Sequence, residues 1–165
     1  MTASSSLRLA RLIALLVPSA LLGGALISQY VGGLYPCEMC MWQRWPHLLA
    51  IILSLGAFAA GSRVPLSLTL IALAAASIAS SGVIGAFHAG VEYGWWEGLS
   101  ACAIPATGGS TQALLDSIMS APLTRCDVAP WSMFGISLAG YNAILSLAAA
   151  AAITMLMLRQ DRKIP

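Results

Sequence analysis

Cysteine is the residue type here with the most chemistry to offer. The chain holds four, arranged as Cys37-x-x-Cys40 followed, well downstream, by Cys102 and Cys126. None falls in a long apolar stretch, where an inert buried cysteine would be expected. Four cysteines allow three pairings. The economical one keeps each bond within its own segment, Cys37 with Cys40 and Cys102 with Cys126. A C-x-x-C disulfide closes so small a loop that it adds little entropic stabilisation. Such pairs favour redox cycling instead, because the thiols are neighbours and one ionises readily. The resulting thiolate attacks a disulfide or an electrophilic ring carbon. Zinc held by four cysteines is the metallic alternative. However, 23 residues separate Cys102 from Cys126, where zinc sites use a few. No metal is therefore expected, and disulfides that only brace loops are the remaining alternative.

Two further residues could hold a small ligand. Arg44 stands at the edge of an apolar run, where a cation is costly unless it snorkels or finds a partner. Beside Trp42 and Trp45 it reads either as an interfacial anchor or as a cation for a polar ligand group such as a quinone carbonyl. His88 ends another apolar run. It reads either as a cap for free helix carbonyls or as a second contact to the same ligand, with Glu92 one turn further on to orient it. Trp95 and Trp96 read as interfacial anchors. Pro46 lacks an amide hydrogen, so the regular helix is expected to start no earlier than about Gln43, which keeps Pro46 in the first turn. Cys40 would then lie beside a positive helix end and Arg44, both of which stabilise a thiolate.

The elements that must position these residues follow from composition. The chain is 59% hydrophobic and 8% charged, against about 25% charged in a soluble domain. Four apolar stretches, at about 12–30, 45–61, 66–87 and 133–158, compare with the roughly 20 residues that a bilayer core requires. Arg8 and Arg11 ahead of the first stretch resemble the start of a signal peptide. The run is long for one, and no small-x-small cleavage site precedes Tyr30, so a retained helix is expected. The expected fold class is an all-α membrane protein: a four-transmembrane-helix bundle, one domain over 1–165, with non-cytoplasmic loops at about 31–44 and 90–132. The second loop is long and carries a short amphipathic helix over Ser110–Ala121, started by Ser110 or Thr111 and stopped by Pro122. Small residues spaced by four, Ala72, Ala76 and Ser80, then Gly135, Ala139 and Ala143, are expected where helices approach closely. A net charge of +2 gives no case for nucleic acid, and a monomer in membrane lipid is expected.

Charge placement sets the orientation. With four spans, Arg8, Arg11, Arg63, Arg159, Arg162 and Lys163 share one side, and only Arg44 and Arg125 take the other. Basic residues mark the cytoplasmic side. Both termini are therefore expected in the cytoplasm and all four cysteines outside it, where disulfides persist.

The run Cys37-Glu-Met-Cys40-Met-Trp-Gln-Arg44 resembles the C-x-x-C-x-x-x-R signature of the disulfide bond formation protein B (DsbB) family. His88-Ala-Gly-Val-Glu92, Cys126-Asp127, Trp131 and Phe134-Gly-Ile-Ser-Leu-Ala-Gly-Tyr-Asn142 are similar to later segments of that family, in order. The resemblance implies a quinone-dependent, disulfide-forming protein-dithiol oxidoreductase of the bacterial inner membrane. It implies that a reduced periplasmic DsbA-like thioredoxin-fold partner attacks Cys102–Cys126, with Cys102 forming the mixed disulfide. Electrons would pass to Cys37–Cys40 and on to ubiquinone or menaquinone, with Cys40 and Arg44 at the quinone and His88 a further contact. A DsbA-like oxidant sits near about −120 mV, whereas structural disulfides lie below about −300 mV. Reoxidising it therefore needs an acceptor as strong as a quinone. A vitamin K epoxide reductase-like enzyme is the nearest alternative, but there the quinone-side C-x-x-C lies late in the chain. A non-enzymatic scaffold braced by disulfides is the other.

Reporter fusions check the orientation. A reporter active only in the cytoplasm should work when fused after Arg63 or Lys163 and fail after Glu97.

Overall fold

The computed structural model describes residues 5–98, 110–112 and 125–161. Four helices dominate it: α1 (Ser5–Tyr30), α2 (Glu38–Ala59), α3 (Val64–Glu92) and α4 (Leu138–Asp161). A two-stranded hairpin, β1 (Ser132–Met133) and β2 (Ile136–Ser137), precedes α4. Each helix packs on its neighbours in a ring, α1 on α2, α2 on α3, α3 on α4 and α4 back on α1, with α1 and α3 across the diagonal. Three helices, α1, α3 and α4, are long and apolar enough to cross a bilayer. Of the expected amphipathic helix only 110–112 are described, with 111 and 112 helical. The remainder, and Cys102, lie outside the described residues.

The bundle is apolar outside and partly polar inside. Leu16, Ile27, Ile52, Val83 and Met155 are all exposed on the outer face, as expected of surface that meets lipid. Arg11, Gln43, His47, Ser54, Ser67, Ser81, His88 and Ser146 are buried. In hydrocarbon every polar group must find its partner within the protein. Arg11 does so by donating to Ser67 Oγ at 2.9 Å and to the Gly61 carbonyl at 3.1 Å, at the end where α2 turns into α3.

The same rule lets two helices contain proline. Pro18 cannot donate to the Ala14 carbonyl, and Ser54 Oγ of α2 donates to it instead at 2.8 Å. Pro46 leaves the Trp42 carbonyl without its amide donor. Ser81 Oγ of α3 donates to the next carbonyl, Gln43, at 2.8 Å, and Ser77 Oγ donates to the Pro46 carbonyl. Thus α2 starts at Glu38, five residues before the expected start at Gln43, and Pro46 lies in its interior. At Pro18 the neighbouring helix supplies the bond that the proline removes, and around Pro46 it donates to carbonyls next to the one left without its amide, which a reading of either helix alone does not reveal.

Two other expectations are corrected. The fourth apolar stretch is not helical from Met133: Phe134 and Gly135 both take positive φ, 52° and 77°, in a two-residue hairpin turn, the pairing a type I′ turn requires. Ser137 Oγ then accepts from the Gly140 amide at 3.1 Å and caps α4. Gly135 is thus a turn residue, while Ala139 and Ala143 are buried. Ala72, Ala76 and Ser80 face outward. The buried stripe of α3 is Ser67, Ile71, Ala74, Ile78, Ser81, Gly85 and His88, at alternating spacings of four and three. In so alanine-rich a helix, small residues recur on every face, and the polar ones mark the interior.

Gly85 makes one close approach of α3 to α2 and α4 possible. A Cβ there would come within 2.9 Å of Asn142 Nδ2, 3.0 Å of the Ala139 carbonyl and 3.1 Å of Gln43 Oε1. Gly85→Ala should destabilise the bundle by about 1–3 kcal/mol, the usual cost of overpacking. Gly23→Ala, where a Cβ meets nothing within 4 Å, should be neutral or stabilising by up to about 1 kcal/mol. Unfolding of both variants in micelles checks the contrast.

Candidate functional site

The site lies at one end of the bundle, where α2 begins and α3 ends. Cys37 is the N-cap of α2, and its sulfur accepts from the Cys40 amide at 3.4 Å. The positive helix end therefore serves Cys37 and not, as the later helix start would have had it, Cys40. The two sulfurs are 3.1 Å apart and unbonded. Their surroundings differ in part. Cys37 is buried in a cluster with Met39, Val91 and Cys126, on which Cys40 also packs. Cys40 lines a cavity of about 230 Å³ enclosed by the four helices.

His88 does not cap the end of α3. The helix runs on to Glu92, and the ring is 1% exposed. Its Nε2 lies 3.6 Å from Cys37 Sγ and 3.7 Å from Glu92 Oε1. Its Nδ1 lies 3.0 Å from Gln43 Nε2, and the Cys126 backbone also reaches the ring. The amide orientations, and hence the histidine tautomer, can be assigned from main-chain carbonyls. Gln43 Nε2 donates to the Met39 carbonyl, so this atom is the nitrogen. It must then donate to His88 Nδ1, which leaves the His88 hydrogen on Nε2, facing the Cys37 sulfur.

A cysteine in this setting ionises easily. The Cys37 thiol is pushed down to about 4, first by the hydrogen bond from the Cys40 thiol, then by the His88 ring and the Cys40 amide, against the opposing effect of burial. In the dithiol form the negative charge thus sits on Cys37.

The polar chain continues beyond Gln43. Gln43 Oε1 accepts from Asn142 Nδ2 at 2.7 Å, and Asn142 Oδ1 lies 2.8 Å from His47 Nε2. Arg44 reaches across to α1, donating to Gln29 Oε1 and to the Ala25 carbonyl. Arg44, His47, His88, Glu92 and Asn142 line the same cavity as Cys40, and the residues of α1 there are mostly apolar. Five of the six residues singled out from sequence are described, and they converge here: Cys37, Cys40, Arg44 and His88 directly, and Cys126 through its packing on Cys37. Gln43, His47, Ser81 and Asn142 were not singled out. Their signal was available, since polar residues inside apolar spans are rare and face the bundle interior.

Cys37 Sγ, Cys40 Sγ and His88 Nε2 lie within 4.8 Å of one another, a spacing a soft metal ion could use. A four-cysteine zinc site is not formed, because Cys126 is disulfide-bonded while Cys37 and Cys40 are free. The cavity suits an organic ring better. A dry cavity of about 150 Å³ is enough for benzene, and this one adds polar groups at fixed places, including two buried atoms without a partner among the described residues, His47 Nδ1 and Glu92 Oε2.

Because Cys37 is held well below an ordinary thiol, the thiolate absorbance of protein reduced at Cys37 and Cys40, with Cys126 still in its disulfide, should persist as pH falls from 9 and be lost only near about 4. His88→Leu should move that midpoint upward. A midpoint that stays near an ordinary thiol's in the unaltered protein would contradict the assignment.

Comparison with known proteins gives a consistent result. The family model for disulfide bond formation protein DsbB matches residues 7–156. An uncharacterized protein of Rickettsia prowazekii is 31% identical over 130 residues, covering 76% of this chain and 73% of that protein. A disulfide bond formation protein B of Azoarcus sp. is 30% identical over 157 residues, with 85% of each chain covered. Another, from Marinobacter nauticus, is 30% identical over 141 residues, covering 78% of this chain and 79% of its own. No solved structure matches the chain.

Proposed function

This chain belongs to the DsbB family of disulfide-forming membrane oxidoreductases, and from that premise we propose that it reoxidises a periplasmic DsbA-like thioredoxin-fold protein and delivers the electrons to a membrane quinone, ubiquinone or menaquinone. The observation that carries this reading is that both sulfurs pack at the Cys126 cluster while Cys40, and not Cys37, also lines the cavity. A pair so placed can exchange on one side and reduce a ligand on the other.

The partner's thiolate attacks Cys102 in the proposed Cys102–Cys126 disulfide, and Cys126 leaves as a thiolate. Cys126 then attacks the Cys37–Cys40 disulfide at Cys37, which it packs against. Cys37 is the sulfur that exchanges with the second pair, and Cys40 is the one released into the cavity. The partner's second thiolate attacks the partner's own sulfur in the mixed disulfide, which releases the oxidised partner and frees Cys102. Cys102 then attacks Cys126, which re-forms Cys102–Cys126 and frees Cys37, whose charge His88 and the helix end stabilise. When bound, a quinone supplies a two-electron, two-proton acceptor and leaves as quinol as Cys37 and Cys40 re-form their disulfide. Arg44 keeps guanidinium hydrogens beyond those given to Gln29 and Ala25, and these hold an oxygen of the ring. His88 orients Cys37 from one side of the cavity wall and Gln43 fixes His88.

The setting proposed is the bacterial inner membrane, with the chain a monomer and 1–165 a single unit. In this reading α2 is the fourth crossing. Its 22 residues span about 33 Å at 1.5 Å per residue, close to the roughly 30 Å of a bilayer core. The termini are cytoplasmic and the cysteines periplasmic.

Purified protein mixed with quinone and a reduced thioredoxin-fold partner should bleach the quinone absorbance. Arg44→Ala should weaken the apparent affinity for quinone about ten- to a hundredfold, the loss expected for a hydrogen bond from a charged donor, and should leave thiol exchange with the partner largely intact. An unchanged affinity would remove Arg44 from the quinone site.

A further inference from the structure

His47 is 3% exposed, and its two ring nitrogens are served unequally. Nε2 lies 2.8 Å from Asn142 Oδ1 and 2.9 Å from Ser81 Oγ. Nδ1 is buried and has no hydrogen-bond partner among the described residues, and the ring lines the cavity. A buried polar atom left unpaired costs free energy unless a ligand or an ordered water meets it.

The surrounding network decides what Nδ1 can do. The main-chain carbonyl of Ser81, 3.2 Å from Asn142 Nδ2, identifies that atom as the nitrogen, so Oδ1 is the atom facing His47. Ser81 Oγ commits its own hydrogen to the Gln43 carbonyl. Both neighbours of Nε2 are therefore acceptors, and Nε2 carries the ring hydrogen. In a neutral imidazole the other nitrogen is then a bare lone pair. Nδ1 accepts and cannot donate. The second unpaired buried atom in the cavity wall, Glu92 Oε2, is an oxygen and, in the carboxylate, likewise an acceptor. Unpaired acceptors in an apolar cavity call for a ligand that brings its own hydrogens.

Position along α2 completes the case. Cys40, Arg44 and His47 follow at i, i+4 and i+7 on one face, and seven residues of helix rise about 10 Å. His47 is thus at the deep end of the cavity, two turns from the reacting sulfur. We propose that His47 Nδ1 accepts a hydrogen bond from a ring hydroxyl of the bound quinol, so that this chain holds the reduced ring more tightly than it would without the histidine. The inference rests on the quinone reading above and adds a binding residue to it. An oxidised ring offers only carbonyl oxygens, and these gain nothing from a lone pair. Preferential binding of the reduced form raises the potential of the bound couple, by about 30 mV for each tenfold difference in affinity. His47 would in this way make the bound acceptor a stronger oxidant.

Equilibrium binding of three probes to the full chain in micelles tests this: a decyl-substituted benzoquinone, its quinol, and the dimethyl ether of that quinol, which has no hydrogen to donate. His47→Leu should lower affinity for the quinol about five- to tenfold, the range of one buried hydrogen bond, and change affinity for the quinone and the ether little. The potential of the bound couple should fall by about 20–30 mV, the same ratio converted. Equal loss for all three probes, or none, overturns the proposal. Should the leucine variant not fold, the unaltered protein still decides the matter. The chain has two histidines, so nitrogen resonances of labelled His47 are assignable by comparison with His88→Gln. The Nδ1 resonance should be that of an unprotonated nitrogen and should shift with the quinol but not with the ether. A protonated Nδ1, or one indifferent to the quinol, overturns it. If the unaltered protein binds none of the probes, the quinone reading itself fails; if it binds them without distinguishing quinol from ether, only the role of His47 does.

Discussion

Two side-chain amides, Gln43 of α2 and Asn142 of α4, hold the site together. Their bond is 2.7 Å long and spans the bundle interior where Gly85 leaves room for it. On one side Gln43 sets the His88 ring, which faces Cys37. On the other Asn142 sets the His47 ring, which faces the cavity. A typical hydrogen bond adds only about 1 kcal/mol to stability, but leaving its groups buried and unpaired costs more. In hydrocarbon that asymmetry is the constraint that aligns α2, α3 and α4 at this level.

Hydrophobicity alone could not have done so. The lipid-facing surface is as apolar as the core, so burial does little to choose one helix face over another. What distinguishes the inside is the set of polar groups that need partners. Ser54 completes the helix that Pro18 interrupts, Ser81 ties α3 to α2 beside Pro46, and Arg11 ties the first helix to the turn between α2 and α3. With Pro46 accommodated inside it, α2 extends back to Cys37, and its positive end falls on the sulfur that also meets His88 and Cys126.

Two cysteines three residues apart thereby gain different surroundings. Cys37 caps the helix and packs against Cys126 beside His88. Cys40, one turn into the helix, also packs on that cluster and opens on the cavity with Arg44. In the proposed reaction the first sulfur exchanges with Cys126 and the second meets the quinone.

The amino-acid sequence by itself determined the class of the molecule. Its apolar stretches, its charge asymmetry and its C-x-x-C-x-x-x-R run were legible because each is a local pattern with one physical cause. Cys37, Cys40, Arg44, His88 and Cys126 could be named for the same reason. Tertiary structure decided the rest. It set the start of α2, the outward turn of Ala72, Ala76 and Ser80 and the hairpin ahead of α4, and the roles of Gln43, His47, Ser81 and Asn142 depend on partners 34 to 99 residues away. Which sulfur takes the charge was decided in the same way. A proline, a serine or an amide in an apolar helix has no fixed meaning until the group that satisfies it is known, and in lipid that group comes from another helix.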